Sequence, residues 1–256
     1  MNQILLMIVA MALVGCASTT NTPDQPFINT LGMKFVSVKG TDVQYCIWET
    51  RVRDYAAYAA ANAVVDGSWK KPEYLGERLM QTDTHPVVMV SWNDAQAFCA
   101  WLTKKEMAEG KIKAGQRYRL PTDEEWSVAV SLGKEKGNTP EEKDQGIKDV
   151  YPWGKEWPPT KGGGNYSKIW KVDEFDYTSP VGSFAANALG LYDMGGNVWE
   201  WCEDWYDPAY KKSRVSRGAS WAPFSRRVKL LSSDRFRNAP VRRSIIIGFR
   251  CVLADE

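Results

Sequence analysis

From Tyr151 onward the apolar residues come in short pieces broken by Gly, Pro or Asn: YPWG, KGGGNYSKIW, SPVGSF and LGLYDMGGNVWEWCEDWY. Few of these pieces are long enough for a helix. A chain built this way cannot rest on long hydrogen-bond ladders. It must be held by aromatic packing and by bonds from side chains to backbone, and its twelve tryptophans supply the rings. With 256 residues and 44% hydrophobic content, there is material for a substantial core.

The first half is more regular. SWNDAQAFCAWLTKKEMAEG places Ala95, Phe98, Cys99 and Leu102 on one face and stops at Gly110, which predicts an amphipathic helix. PTDEEWSVAVSL carries Thr122 and Glu125 at capping-box spacing after Pro121, which predicts a second, short helix. VRDYAAYAAANAV, over 52–64, predicts a third. The stretch Gly133 to Asp149 is charged, lacks aromatics and reads as a solvated loop. With no internal repeat and no interdomain linker, the expected fold class is a single α+β domain of high loop content.

The chain opens with MNQILLMIVAMALVGCASTT, whose apolar run from Ile4 to Val14 is short for a membrane span and reads as a signal peptide. Leu13 to Cys16, LVGC, resembles the lipobox of bacterial lipoproteins. The resemblance implies cleavage before Cys16 and lipidation of Cys16, with a plain secretory signal as the alternative. The Ala17 and Ser18 that follow imply an outer-membrane address, facing the cell surface. Residues 1–15 are then a leader, 16–26 a tether and 27–256 the domain. Cys46, Cys99, Cys202 and Cys251 remain, an even number in an exported chain, with spacings that match no zinc pattern. The single histidine, His85, is expected to be structural.

The formal charge of +2 gives no ground for a nucleic-acid partner. Its distribution says more. Between Arg214 and Arg250 stand nine Arg and one Lys against one Asp, a local +9 on an otherwise acidic chain.

HPVVMVSWNDAQAFCAW, RYRLPTDEEWSVAV, YPWG, SPVGSFAANALGLYDMGGNVWEWCEDWY, RVSRGASW and GFRC resemble, in order, the signature blocks of the formylglycine-generating-enzyme (sulfatase-modifying factor) domain. The resemblance covers roughly 27–253 and implies a variant of the C-type lectin fold. Oxidase members carry two copper-binding cysteines just after the block matching RGASW, but 222–228 here reads APFSRRV. Without those thiolates no copper centre is expected, and the chain is not expected to be an enzyme. The resemblance further pairs Cys251 with the helix cysteine, Cys99. It also carries over a Ca²⁺ site, made of the side chains of Asp193 and Glu200 and the carbonyls of Gly196 and Val198, an oxygen-only set suited to a hard cation. The alternative is that Glu200 bonds loop amides.

A narrower C-terminal resemblance concerns WAPFSRRVKLLSSDRFRNAPVRRSIIIGFRC. Its RGxSW…R…P…R…IGFR frame is similar to the variable region of diversity-generating-retroelement proteins, among them the variable lipoproteins of Treponema. There, randomised Asn codons cannot encode Trp, Met, Lys, Glu or Gln. Of the 25 residues from Ala222 to Ile246 only Lys229 belongs to that set, where ordinary usage suggests about five. The resemblance makes Trp221, Arg235, Pro240, Arg243, Ile247, Gly248 and Phe249 framework. It makes Ala222, Pro223, Phe224, Arg227, Phe236, Arg237, Asn238, Ala239, Arg242, Ser244, Ile245 and Ile246 the exchangeable, ligand-binding positions, expected to form one exposed face over 222–246. Arg227, Arg237 and Arg242 favour an acidic ligand, a protein or another surface molecule, bound by a monomer. Two other functions stand beside this one: a non-catalytic outer-membrane scaffold, and an oxidase of unrecognised chemistry.

Overall fold

The computed structural model describes residues 25–222 and 226–255. Cys16, Pro223 and Phe224 lie outside the described residues, and with them the expectations for the leader and tether. In chain order the elements are β1 (Phe27–Ile28), β2 (Lys34–Ser37), β3 (Val43–Cys46), α1 (Val52–Ala61), β4 (Glu73–Tyr74), β5 (Glu77–Arg78), α2 (Trp92–Ala108), β6 (Gln116–Arg119), α3 (Asp123–Ala129), α4 (Pro140–Lys143), β7 (Trp199–Trp205), β8 (Arg214–Arg217), β9 (Phe236–Asn238), β10 (Ile247–Gly248) and β11 (Val252–Asp255). This is the α+β architecture expected, and between α4 and β7 no α-helix or named strand occurs among the described residues.

Two sheets organise it. The first has order β1-β2-β3-β11-β6, so the last strand lies in its interior: Val252 faces Tyr45 on one side and Arg119 on the other. The second has order β10-β7-β8-β9, with β10 parallel to β7 and the other pairs antiparallel. A separate hairpin pairs β4 with β5.

α2 begins where Ser91 accepts from the Asp94 amide and Asp94 accepts from the Ser91 amide, a reciprocal cap. Its predicted face, Ala95, Phe98, Cys99 and Leu102, is buried in a cluster with Phe35, Tyr118, Phe249 and Leu253. Each such large side chain contributes about 1.5–3 kcal/mol on burial. Tyr55 of α1 stacks on Phe98 at 5.9 Å, and Phe249 meets Phe98 edge-on at 5.4 Å, so both helices close over the end of the chain. α3 carries the predicted Thr122–Glu125 capping box. No helix among the described residues is long and apolar enough to cross a membrane.

Candidate functional site: a loop segment on a buried ionic anchor

The GGN turn between the sheets fixes the segment's entry. Gly196 has φ +82, and a Cβ there would stand 2.3 Å from the Asn165 carbonyl oxygen, so only glycine fits. Its amide donates to the Gly218 carbonyl at 2.8 Å, and the Asn197 carbonyl accepts the Trp221 amide at 3.0 Å. The turn therefore clamps RGASW by backbone bonds at both ends. The Trp221 indole adds a bond to the Ile245 carbonyl at 3.3 Å, which ties the start of the segment to its finish.

Beneath it lies an ionic anchor. Arg217 and Arg235, both fully buried, converge on Asp123 at 2.5 and 2.9 Å. Arg235 also pairs with Glu135 at 2.6 Å and donates to the carbonyls of Ser233 and Lys143. Burial alone would raise the Asp123 carboxyl, but the two guanidinium groups hold it below its ordinary value. Two cations and two carboxylates balance, as an ion cluster removed from water must. Glu135 belongs to the stretch read as solvated, and α4 supplies Lys143 from the same stretch. The expectation of a free loop is therefore corrected: its charges have buried partners about a hundred residues away in sequence.

The segment itself is not one exposed face. Leu230 to Arg235 is buried throughout, with Leu230 and Leu231 in the main core and Ser232 accepting from Arg217. This inward run divides the exchangeable positions. Arg227 is exposed, pairs with Asp149 at 2.5 Å, bonds the Tyr151 hydroxyl and lies over the Trp157 ring. Phe236, half-buried, meets Trp199 at 5.2 Å. Arg237 is exposed over Tyr206, Asn238 reaches the Ser216 hydroxyl, and Ala239 and Arg242 are exposed at a turn closed by their own backbone. Ser244, Ile245 and Ile246 are half-buried, but their carbonyls accept from Met89, Trp221 and Trp199, so their backbone serves the framework whatever the side chain. Ala222 departs from expectation. It is buried with Leu79 and Trp221, because a residue directly after the clamped tryptophan follows it inward.

The framework assignment divides as well. Trp221, Arg235, Ile247, Gly248 and Phe249 are buried. Pro240 and Arg243 are only half-buried, Arg243 pairing with Asp94 at 2.9 Å and Pro240 offering its carbonyl to Asn93. His85 is buried against Thr82, whose amide donates to its Nδ1, and burial lowers its pKa.

Around the carried-over cation residues, Glu200 is engaged by protein groups. Its two oxygens accept from Arg250 at 2.5 and 2.7 Å, and Trp126 adds a third bond. Asp193 accepts the Gly182 amide, while Gly196 and Val198 flank Asn197 in the buried turn. Glu49, fully buried, is a residue the sequence reading missed, since nothing in WETRV marks it. Neither of its oxygens has a hydrogen-bonding donor among the described residues apart from the neighbouring carboxyl of Asp193. Burial and then Asp193 push its carboxyl well up, and burial pushes Asp193 up to about 6. Three carboxylates thus share one buried guanidinium. Glu49 and Asp193 would be the groups to hold a hard cation there, since Glu200 is taken up by Arg250 and Trp126. Among the described residues no group of three His, Cys, Asp or Glu is already disposed around a metal position. The span 222–228, where the oxidase members carry their copper-binding cysteines, holds none, and the four described cysteines are buried in other segments.

Cys99 and Cys251 are brought together as thiols, their sulfurs 3.6 Å apart. The bond that the family resemblance implies is not closed here, a disulfide needing about 2.05 Å.

With the geometry described, comparisons place the chain. The sulfatase-modifying factor enzyme 1-like domain matches residues 17–255. The inactive C-alpha-formylglycine-generating enzyme 2 of Bos taurus is 38% identical over 191 residues, 72% of this chain and 55% of that protein. The formylglycine-generating enzyme of Thermomonospora curvata is 32% identical over 218 residues, 74% of this chain and 62% of that one. The chain therefore spans little more than half the length of these relatives. Among solved structures, PvdO from Pseudomonas aeruginosa aligns with TM-score 0.64 at 21% identity, covering 91% of this chain and 99% of that one. Treponema denticola variable protein 1 aligns at 0.60 and 19%, covering 92% and 100%. At such identities the likeness speaks to fold alone. The matched domain, the two relatives and the shared architecture agree, and the chain belongs to the sulfatase-modifying factor enzyme 1-like family, with its C-type lectin-like fold.

Proposed function

We propose that this chain is a non-catalytic, surface-displayed binding lipoprotein whose ligand-contacting residues are exchanged by a diversity-generating retroelement. The observation that carries the reading is the division of labour within 222–246. Backbone carbonyls and the buried Arg235 hold the fold, while Arg227, Arg237, Ala239 and Arg242 stay exposed. Loops held by such flanks tolerate new side chains. A Treponema variable protein has the same fold, which is compatible with this reading. Absence of cysteine from 222–228 supports a binding role over oxidation, and a relative described as inactive shows that the family contains such members.

In this variant the ligand is acidic. Arg237 and Arg242 have no acidic partner among the described residues, whereas Arg227 is already matched by Asp149. Cys16 is lipidated and anchors the monomer to the outer membrane. Ca²⁺ serves the Asp193 region as a structural ion. The deciding test is the locus itself. Clonal descendants should show substitutions concentrated at exchangeable codons of 222–246 beside an intact template repeat and a reverse-transcriptase gene. A locus with neither element removes the reading and leaves the outer-membrane scaffold. Palmitate labelling lost in Cys16→Ser checks the anchor.

A further inference from the structure

The β4–β5 hairpin, the loop before Tyr177 and the residue that ends RGASW meet at a cavity of about 350 Å³. Three rings form its corner. Tyr74 and Trp221 stand 5.6 Å apart at 84°, Tyr177 and Trp221 5.2 Å apart at 87°, and Tyr74 and Tyr177 6.4 Å apart at 75°. Each ring is thus nearly perpendicular to the other two. Trp221 is the fixed wall, held through its amide and its indole. The tyrosines are half-buried and border open space.

The polar groups of the cavity are few and mostly negative. The Tyr177 hydroxyl donates to Glu77 at 2.8 Å, which places a carboxylate beside the ring and enriches its face. Asp176 also lines the space, paired with Lys168, so the cavity keeps an excess of one negative charge. At the rim, Leu75 at the hairpin tip is 86% exposed and Ile169 is 52% exposed. Perpendicular π-faces, an unmatched carboxylate and an apolar rim together specify a cation clothed in methyl groups. A primary ammonium would hold its water too strongly, and a neutral apolar group would gain nothing from the exposed Glu77 carboxylate.

We propose that this cavity binds a small solute through its trimethylammonium group, with Tyr74, Tyr177 and Trp221 as the cage and Glu77 as the counter-charge. None of these residues belongs to the exchangeable set, so the inference does not rest on the variable-protein reading. Nor does it compete with an acidic ligand at Arg237 and Arg242, which lie outside this cavity's lining.

The test titrates the full chain with choline and with its neutral carbon isostere, 3,3-dimethylbutan-1-ol, by calorimetry and tryptophan fluorescence. Choline should bind at least about 10-fold more tightly than the isostere, within the range that cation–π contacts supply. Tyr177→Leu and Tyr74→Leu should each weaken choline by roughly 3- to 30-fold, and Glu77→Gln should weaken choline while leaving the isostere unchanged. Equal affinity for choline and isostere, no choline binding, or unchanged choline affinity in both leucine variants overturns the proposal. The isostere comparison uses the unaltered chain, so a variant that fails to fold leaves the question decided. Because the variable-protein reading is tested at the locus, the two can fail separately.

Discussion

Replacing Arg235 by Met should destabilise the domain by about 3–5 kcal/mol, the cost of removing one partner from a buried ion cluster. Met keeps most of the volume, so the loss is electrostatic and not a cavity effect. The structure says where it arises. Asp123 keeps Arg217 at 2.5 Å, but Glu135, its side chain 6% exposed, is left with only the Ser127 hydroxyl at 2.7 Å. The carbonyls of Ser233 and Lys143 each lose one of two donors, keeping the amides of Gln145 and Gly146. For a domain of this size, 1 kcal/mol moves Tm by about 2–4 °C, so a fall of roughly 6–20 °C is expected. Urea unfolding followed by tryptophan fluorescence, with calorimetry alongside, reads both quantities. Arg242→Met is the matched control and should stay within about 0.5 kcal/mol, because Arg242 is exposed. A loss below about 1 kcal/mol for Arg235→Met, or an equal loss at Arg242, would refute the division into anchor and exchangeable positions.

The same cluster sets an acid limit. Asp123 has a folded pKa below its unfolded value, so its contribution is complete above about pH 4 and is lost as pH falls through the lowered value; in Arg235→Met the acid limb of the Tm–pH curve should move to higher pH. Trp221→Ala should cost about 3 kcal/mol or more, while Arg237→Ala should cost less than about 1, as compared by chemical denaturation. Treatment of the purified chain with a mild oxidant should join the peptides containing Cys99 and Cys251, with loss of two hydrogens by mass spectrometry; thiols that stay unjoined once denaturant admits the oxidant would show that the pair does not bond. Ca²⁺ should raise Tm relative to chelator, and Asp193→Ala should remove the difference; equal Tm values in wild type would remove the ion.

What the sequence disclosed and what it hid follow one physical divide. α2 and the cap of α3 were readable because their signals are local: a repeat of apolar positions over Ala95, Phe98, Cys99 and Leu102, and a Thr122–Glu125 pair three residues apart. The clamp around Trp221 was readable only through resemblance, since Asn197 and Trp221 meet through backbone bonds that leave no periodicity. Glu135 looked solvated because a charge shows its partner only in three dimensions, and Arg235 stands 100 residues away. Leu230 to Asp234 was expected on the exposed face of 222–246 for a similar reason. A short apolar pair among polar residues carries no direction until the sheet beside it exists. Glu49 was invisible, because its charged neighbours Asp193, Glu200 and Arg250 arrive from two distant segments.

The position of β11 has a consequence for order of assembly. Its partners, β3 and β6, were made long before it, and until Val252 to Asp255 slide between them they have no ladder to share. Residues 222–246 precede that strand, so this segment must collapse onto Asp123 and the GGN turn in time to deliver the chain end. A substitution that prevents this leaves the first sheet as two unjoined edges, exposed to proteases and to pairing with other chains. Closure of β11 between its two neighbours thus reports whether residues 222–246 have found their place.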